Sequence, residues 1–289
     1  MSSESGFGGE GFLLHIRPDA YWVPEALRSA DAIRLLNYQF ADSGIRRVTV
    51  DNEQSRVLLG VRGWTEGGWN WESALLYSRA RSTDVQQGGL TDAFIEAVNR
   101  TDASAYNPFS GGDPASIRVG DATPYDTSSF IGEATRVGTS ELALWDFKID
   151  RSDLLTWYAG DIGVAAGVEY RYESRSDDRD GNIDGSHPYT DWYTGTVAPS
   201  NFFTHSPRPD VHGSRNVTSA LVELAIPLVS AAQGVPLVQS LDLQVAARWE
   251  DYSDAGKVAK PKLAAAWKVN DSLLLRGSVS GGFRAPGLE

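Results

Sequence analysis

The run Asp178-Arg179-Asp180-Gly181-Asn182-Ile183-Asp184-Gly185 sets oxygen-bearing side chains at alternate positions around a glycine turn. Calcium loops gather hard oxygen ligands in this way. Asp178, Asp180, Asn182 and Asp184 are thus a weak calcium-like set, because the spacing is not that of an EF-hand and no glutamate stands at the twelfth position. An acidic surface turn is the simpler reading. Of the four histidines, His187, His205 and His212 share one polar stretch with Asp184, Asp191 and Asp210, while His15 stands apart. Imidazole and carboxylate suit transition metals, but the histidine separations, eighteen and seven residues, match no compact ligand motif. No metal is assigned. The same stretch carries Tyr189, Trp192, Tyr193, Phe202 and Phe203. Aromatic faces stack on sugars or enclose an apolar ligand, and they also pack a long loop onto itself. These five are the candidate ligand-binding residues, and the 106–130 region is the next place to look.

Catalysis has little to stand on. The chain has no cysteine, which removes thiol chemistry, zinc–cysteine sites and disulfides. No GxSxG segment offers an activated nucleophile. Glu169, Glu173 and Glu250 fall on polar strand positions and read as wall charges, not as a glycosidase pair. Gly8-Gly9, Gly88-Gly89 and Gly111-Gly112 do not open a helix after a strand, so none reads as a phosphate cradle. No catalytic residue and no cofactor is expected. With a formal charge of −12 the chain is a poor partner for nucleic acid, whose phosphates are held by Lys and Arg.

The elements that must position these residues are strands. Asp161–Glu173 alternates Ile162, Val164, Ala166, Val168, Tyr170 and Tyr172 with a polar or small face that carries Glu169 and Arg171. Residues 241–252, 272–284 and 218–228 repeat the pattern, and weaker runs lie at 45–52, 54–64, 69–81, 139–150 and 258–269. This is roughly nine strands, most near the ~10 residues that cross a bilayer when tilted. Residues 1–43 show no clear period beyond a short helix expected around Glu25–Leu36; residues 44–289 form the strand region. Short turns alternate with long polar loops at about 82–138 and 174–216, the first with a small amphipathic helix over Thr91–Asn99. Hydrophobic residues make up 41% and aromatics 10% of the 289 residues, and no run approaches the ~20 apolar residues of a spanning helix. Trp and Tyr gather near strand ends (Trp64, Trp69, Trp71, Tyr170, Tyr172, Trp249, Tyr252), where the interfacial girdles of a membrane barrel sit.

The last strand, Leu273-Leu274-Leu275-Arg276-Gly277-Ser278-Val279-Ser280-Gly281-Gly282-Phe283-Arg284-Ala285-Pro286, resembles the recurring LRGSYSxGFRAP segment of TonB-dependent receptor barrels. Ala247 to Asp254 is similar to their RYEDYSDFG strand end, Val258 to Lys262 to their xxxPKxA strand start, Val164 to Glu173 to another barrel strand, and Tyr106-Asn107-Pro108-Phe109 to a YNPF loop element. The motifs run in the expected order from roughly residue 50 onward. The resemblance implies an all-β antiparallel meander of long strands, part of a large transmembrane barrel of about 22 strands with a plugged lumen. It further implies a bacterial outer-membrane location, a siderophore, cobalamin or oligosaccharide cargo, and energised uptake through the TonB complex, which acts on the plug.

Departures from the family pattern are also expected. The start lacks the basic and apolar regions of a signal peptide. No plug, TonB box or terminal aromatic strand is recognisable, so an internal, unclosed barrel fragment, inactive in transport by itself, is anticipated. Two rivals stand beside this reading. A soluble β-protein binding carbohydrate through loop aromatics would seal Val164, Val168, Leu243 and Val245 into a dry core. A passive sugar porin would differ in lacking a plug.

Overall fold

The computed structural model describes residues 14–36, 38, 40, 43–109, 126–203 and 205–288. In chain order its strands are β1 (Leu14–Ile16), β2 (Ile33–Leu35), β3 (Val48–Trp64), β4 (Asn70–Gly89), β5 (Ile131–Trp157), β6 (Gly160–Arg179), β7 (Tyr189–Thr190), β8 (Val197–Ala198), β9 (Val211–Val229), β10 (Ser240–Tyr252), β11 (Gly256–Asn270) and β12 (Leu273–Ser280). The α-helices are α1 (Thr91–Val98) and the single turn α2 (Gly181–Asp184). The eight long strands form one antiparallel sheet in the order β12-β11-β10-β9-β6-β5-β4-β3, which leaves β3 and β12 at its edges. The expected meander is therefore present. Among the described residues it does not close.

Three expectations change in detail. The runs at 45–52 and 54–64 are one strand, β3, so eight long strands replace the nine. The helix around Glu25–Leu36 is a 3-10 turn at Glu25–Leu27 followed by strand β2. Strands also reach beyond their alternating stretches, so the long connections narrow to residues 90–130 and 180–210. The helix at Thr91 forms as read.

The chain divides into two compact units. A sheet unit holds Glu53–Arg81, Thr139–Ser176 and Val211–Glu289; a loop unit holds Met1–Asn52, Ser82–Gly138 and Asp177–Asp210.

In the sheet unit, register sorts residues onto two faces. Leu224, Val245, Leu263 and Val279 stand in one row across β9, β10, β11 and β12; Ile226, Leu243, Ala265 and Gly277 form another. None of these rows is covered: Val279 is 68% and Leu263 47% exposed. The opposite face carries ions. Arg171 reaches Glu169 at 2.7 Å and Glu173 at 2.6 Å; Arg215 meets Glu173 at 2.7 Å and Arg248 meets Glu250 at 2.8 Å. A soluble sheet hides its apolar rows and wets its charged ones. A barrel in lipid does the reverse. Aromatic residues bound the apolar band. Trp267 pairs with Leu241, eight positions along β10 from Trp249. At about 3.3 Å per residue this is about 26 Å along the strand, or roughly 20 Å of depth at a 40° tilt, near the height of a lipid-facing band.

Candidate ligand-binding site

The loop unit is built like a small globular core. Leu14, Ile16, Val23, Phe94, Val98, Tyr106 and Phe130 are buried together, with Phe40 packed against them. Rings meet edge to face, Phe94 and Phe130 at 5.3 Å and Tyr106 and Phe130 at 5.0 Å between centroids, the arrangement that ring quadrupoles favour. Helix α1 lies at the junction of three chain segments. Leu90 does not cap it with a side chain. Its first amides are instead satisfied from the 180–210 segment: Thr91 N donates to the Asn201 carbonyl at 2.7 Å and Asp92 N to Asn201 Oδ1 at 3.0 Å. The Asn201 amide returns a bond to Asp92 at 2.8 Å. Since the first-turn N–H groups of a helix have no partner within it, Asn201 serves as a cap from a distant part of the chain. Gly88 and Gly89 have a steric role: a Cβ would stand 2.6 Å from the Phe202 ring at the first and 2.8 Å from the Phe40 ring at the second.

The five aromatic candidates split. Tyr189, Phe202 and Phe203 are buried and hold the loop unit together. Trp192 and Tyr193 remain 37% and 48% exposed. In the 106–130 region, Tyr106 and Phe130 belong to the core, and residues 110–125 lie outside the described ones.

The turn carrying the exposed pair is fixed from below. Buried Asp191 accepts from Thr194 N at 2.8 Å, from the Thr194 hydroxyl at 2.9 Å and from Tyr193 N at 3.2 Å, and it meets His15 Nδ1 at 3.1 Å. Burial alone would raise the Asp191 carboxyl, but the Thr194 hydrogen bonds and His15 outweigh it and hold the group below the usual carboxylate range. Burial and the adjacent Asp191 charge push the Tyr189 hydroxyl upward, so it stays protonated. The Trp192 indole donates to the His15 carbonyl, and the Arg17 guanidinium lies 5.4 Å from the Trp192 ring centroid, a cation–π distance. Trp192 is thereby held with little rotamer freedom left to lose when something stacks on it.

A groove of about 530 Å³ opens beside this turn. Tyr189 and Trp192 form one wall; Asp92 and Glu96 from α1, Arg100 just past its end, and Arg17 supply charge. Glu96 and Arg100, four residues apart across the end of α1, meet at 3.7 Å. The groove thus offers an aromatic surface flanked by donors and acceptors of both signs. This composition suits a polyhydroxylated ligand or a chelate with apolar parts. Sequence reasoning located Tyr189 and Trp192 but missed Arg17 and the polar edge of α1. The spacing of Asp92, Glu96 and Arg100 at i, i+4 and i+8 was the available signal.

The acidic run acts as turn chemistry. Asp180 caps α2 by accepting from Asn182 N at 2.9 Å, and Asp184 accepts from Ser186 N at 2.6 Å, which holds its carboxyl below the usual range. Asp178 is exposed. His205 lies near Gln86 at 3.4 Å, its pKa lowered by burial and then by Arg179 and Arg208, while His15 is bound to Asp191. Among the described residues no three His, Cys, Asp or Glu side chains form a metal-binding group.

Inverted faces, aromatic borders and long connections point to a barrel wall, and the model of the family described as TonB dependent receptor-like, beta-barrel matches residues 13–289. The chain belongs to the TonB-dependent receptor β-barrel family. No curated protein and no solved structure matches it significantly. This is a family of bacterial outer-membrane receptors that serve transport, not of enzymes. The open eight-stranded sheet is accordingly part of a receptor barrel wall.

Proposed function

We propose that this receptor wall serves energised uptake of a siderophore, cobalamin or oligosaccharide, with cargo first touching the Trp192 groove. The observation that carries the reading is the sheet unit's inversion: apolar rows exposed between aromatic belts, ion-paired rows on the other face. It supports a lipid-embedded wall around a wet lumen and disfavours the soluble carbohydrate binder, since Val168 and Val245 are 43% and 38% exposed and do not seal a dry core. An open sheet with free edges encloses no pore. Transport by these strands therefore requires further strands to complete the wall, and the 289 residues by themselves are inactive in uptake. TonB and a plug complete the proposed machinery, in line with the family.

The test is accumulation of labelled siderophore, cobalamin and malto-oligosaccharide by cells producing the receptor barrel, with and without a protonophore. One cargo should accumulate, and the protonophore should abolish its entry. Entry that ignores the protonophore would identify a passive porin. Trp192→Ala should weaken cargo binding about tenfold, the typical scale for losing a central aromatic anchor. Unchanged affinity would remove the groove from the path.

A further inference from the structure

The segment from Gly281 to Leu288 leaves the sheet while the strands beside it continue. Gly281 N still donates to the Pro261 carbonyl of β11 at 3.1 Å. From Lys260 back to Gly256, β11 stays paired with β10, but residues 281–288 do not accompany it as strand. They turn across the strands instead. The Phe283 ring meets the Tyr252 ring of β10 at 5.6 Å between centroids. Arg215 Nη1 of β9 donates to the Pro286 carbonyl at 2.8 Å. A Cβ at Gly213, also in β9, would stand 2.9 Å from the Leu288 carbonyl oxygen. In the sheet order β9 is the third neighbour of β12, a separation of about 14 Å, and the extended residues from 282 to 286 reach about 17 Å. The segment therefore crosses with almost no slack.

The face it crosses is the ion-paired one. Tyr252 and Val217 stand opposite each other in register, on the face of Arg248 and Glu250. At this crossing Val217 is 0% and Tyr252 8% exposed, whereas Val279 on the apolar face is bare. The crossing lies near the start of β9, which follows the long connection 180–210, and so at the outward end of such a barrel.

The fastening is light. Arg215 holds Pro286, yet it also keeps Glu173 at 2.7 Å, Asp254 at 3.7 Å and the Tyr252 ring at 5.6 Å. Loss of Pro286 leaves its guanidinium paired. Phe283 stays 45% exposed. Gly281 and Gly282 stand at the root of the segment. At Gly282 a Cβ would meet nothing within 4 Å, and at Gly281 the nearest atom is Cδ of the flexible Lys260 chain, at 3.0 Å. Packing does not demand either glycine, so what they add is backbone freedom.

We infer that residues 281–288 are a gating strap. Latched on Arg215, the strap narrows the outward mouth of the lumen; it lifts at Gly281–Gly282 to let cargo pass. It gates only if the ion-paired face lines the cargo path, and so rests on the uptake reading.

Two readouts separate the strap from that reading. The chain has no cysteine. Spin labels at Gly287→Cys, where nothing lies within 4 Å, and at exposed Lys257→Cys therefore report the distance of the strap from the wall, with the receptor barrel in vesicles. Double electron–electron resonance should resolve two distances, latched and lifted. Arg215→Lys and Phe283→Ala should each raise the lifted share about fivefold. Gly281→Ala/Gly282→Ala should leave thermal stability unchanged and slow energised entry of labelled siderophore, cobalamin or malto-oligosaccharide about tenfold. A single distance in every variant, or full uptake by the hinge variant, overturns the gate and leaves the uptake reading standing. No energised entry of any of the three with wild type overturns that reading and the gate with it.

Discussion

The loop unit and the sheet unit use the same apolar residue types in opposite ways. In the loop unit, Phe94, Phe130 and Leu14 are wholly buried, and polar groups cap and tie the segments together. In the sheet unit, Leu59, Val61 and Val279 are left bare while Arg171, Arg215 and Arg248 are paired on the other face. The difference is one of solvent. The loop unit excludes water to hide hydrocarbon, whereas the sheet relies on lipid to cover its hydrocarbon and on water to wet its charges. The two regions should accordingly fail for different reasons.

The largest effect is expected in the loop core. Phe94→Ala should cost about 3–5 kcal/mol of loop-unit stability, the usual range for emptying a buried aromatic site. Hydrogen exchange should then rise across α1 and the 180–210 segment with little change in β9 to β12; equal loosening of both would break the contrast. Next comes Val245→Arg, in the middle of the apolar band, which should cost about 2–4 kcal/mol in vesicles, with the neighbouring Ala246→Arg close to neutral. Chemical unfolding from vesicles reads both, and a reversed order would invert the assignment of the faces. Gly88→Ala should destabilise the loop unit by about 1–3 kcal/mol through overpacking against Phe202, seen as faster proteolysis within 180–210.

The smallest effect is acid dependence. The Asp191 carboxyl is depressed in the folded loop unit. It therefore contributes stability that is present above its unfolded value of about 3.9 and is lost as pH falls through the folded value. Exchange at residues 189–196 should increase below about pH 4, and Asp191→Asn should remove that acid step. A step that persists in the variant would point to another group.

The sheet was legible where its two faces meet different solvents. Along 161–173 and 241–252 the contrast between lipid and water writes itself into strict alternation. Beyond the aromatic belts both faces meet polar surroundings, so residues 82–89 of β4 and 131–138 of β5 lose the pattern and read as loop, although they are strand. The loop unit was legible only at α1, whose Phe94, Ile95 and Val98 mark a helical stripe. Its remaining core comes from three-residue strands and isolated aromatics too short to show a period, and their partners are distant in sequence. Pro24 and the break after Leu27 limit the expected second helix to one 3-10 turn. The aromatic cluster was visible as composition, but which rings face inward depends on contacts such as His15 with Asp191.

The same contact has a consequence for the order of assembly. His15 and Asp191 are 176 residues apart, and closing a free chain of that length costs about 5 kcal/mol before any contact repays it. Once the ends of β3, β4, β5 and β6 lie side by side, only the shorter closures of 17–47, 90–130 and 180–210 remain. Strand pairing thus comes first in time and the loop core last. By the same logic, the turn that presents Trp192 is the latest part of the molecule to take shape during folding.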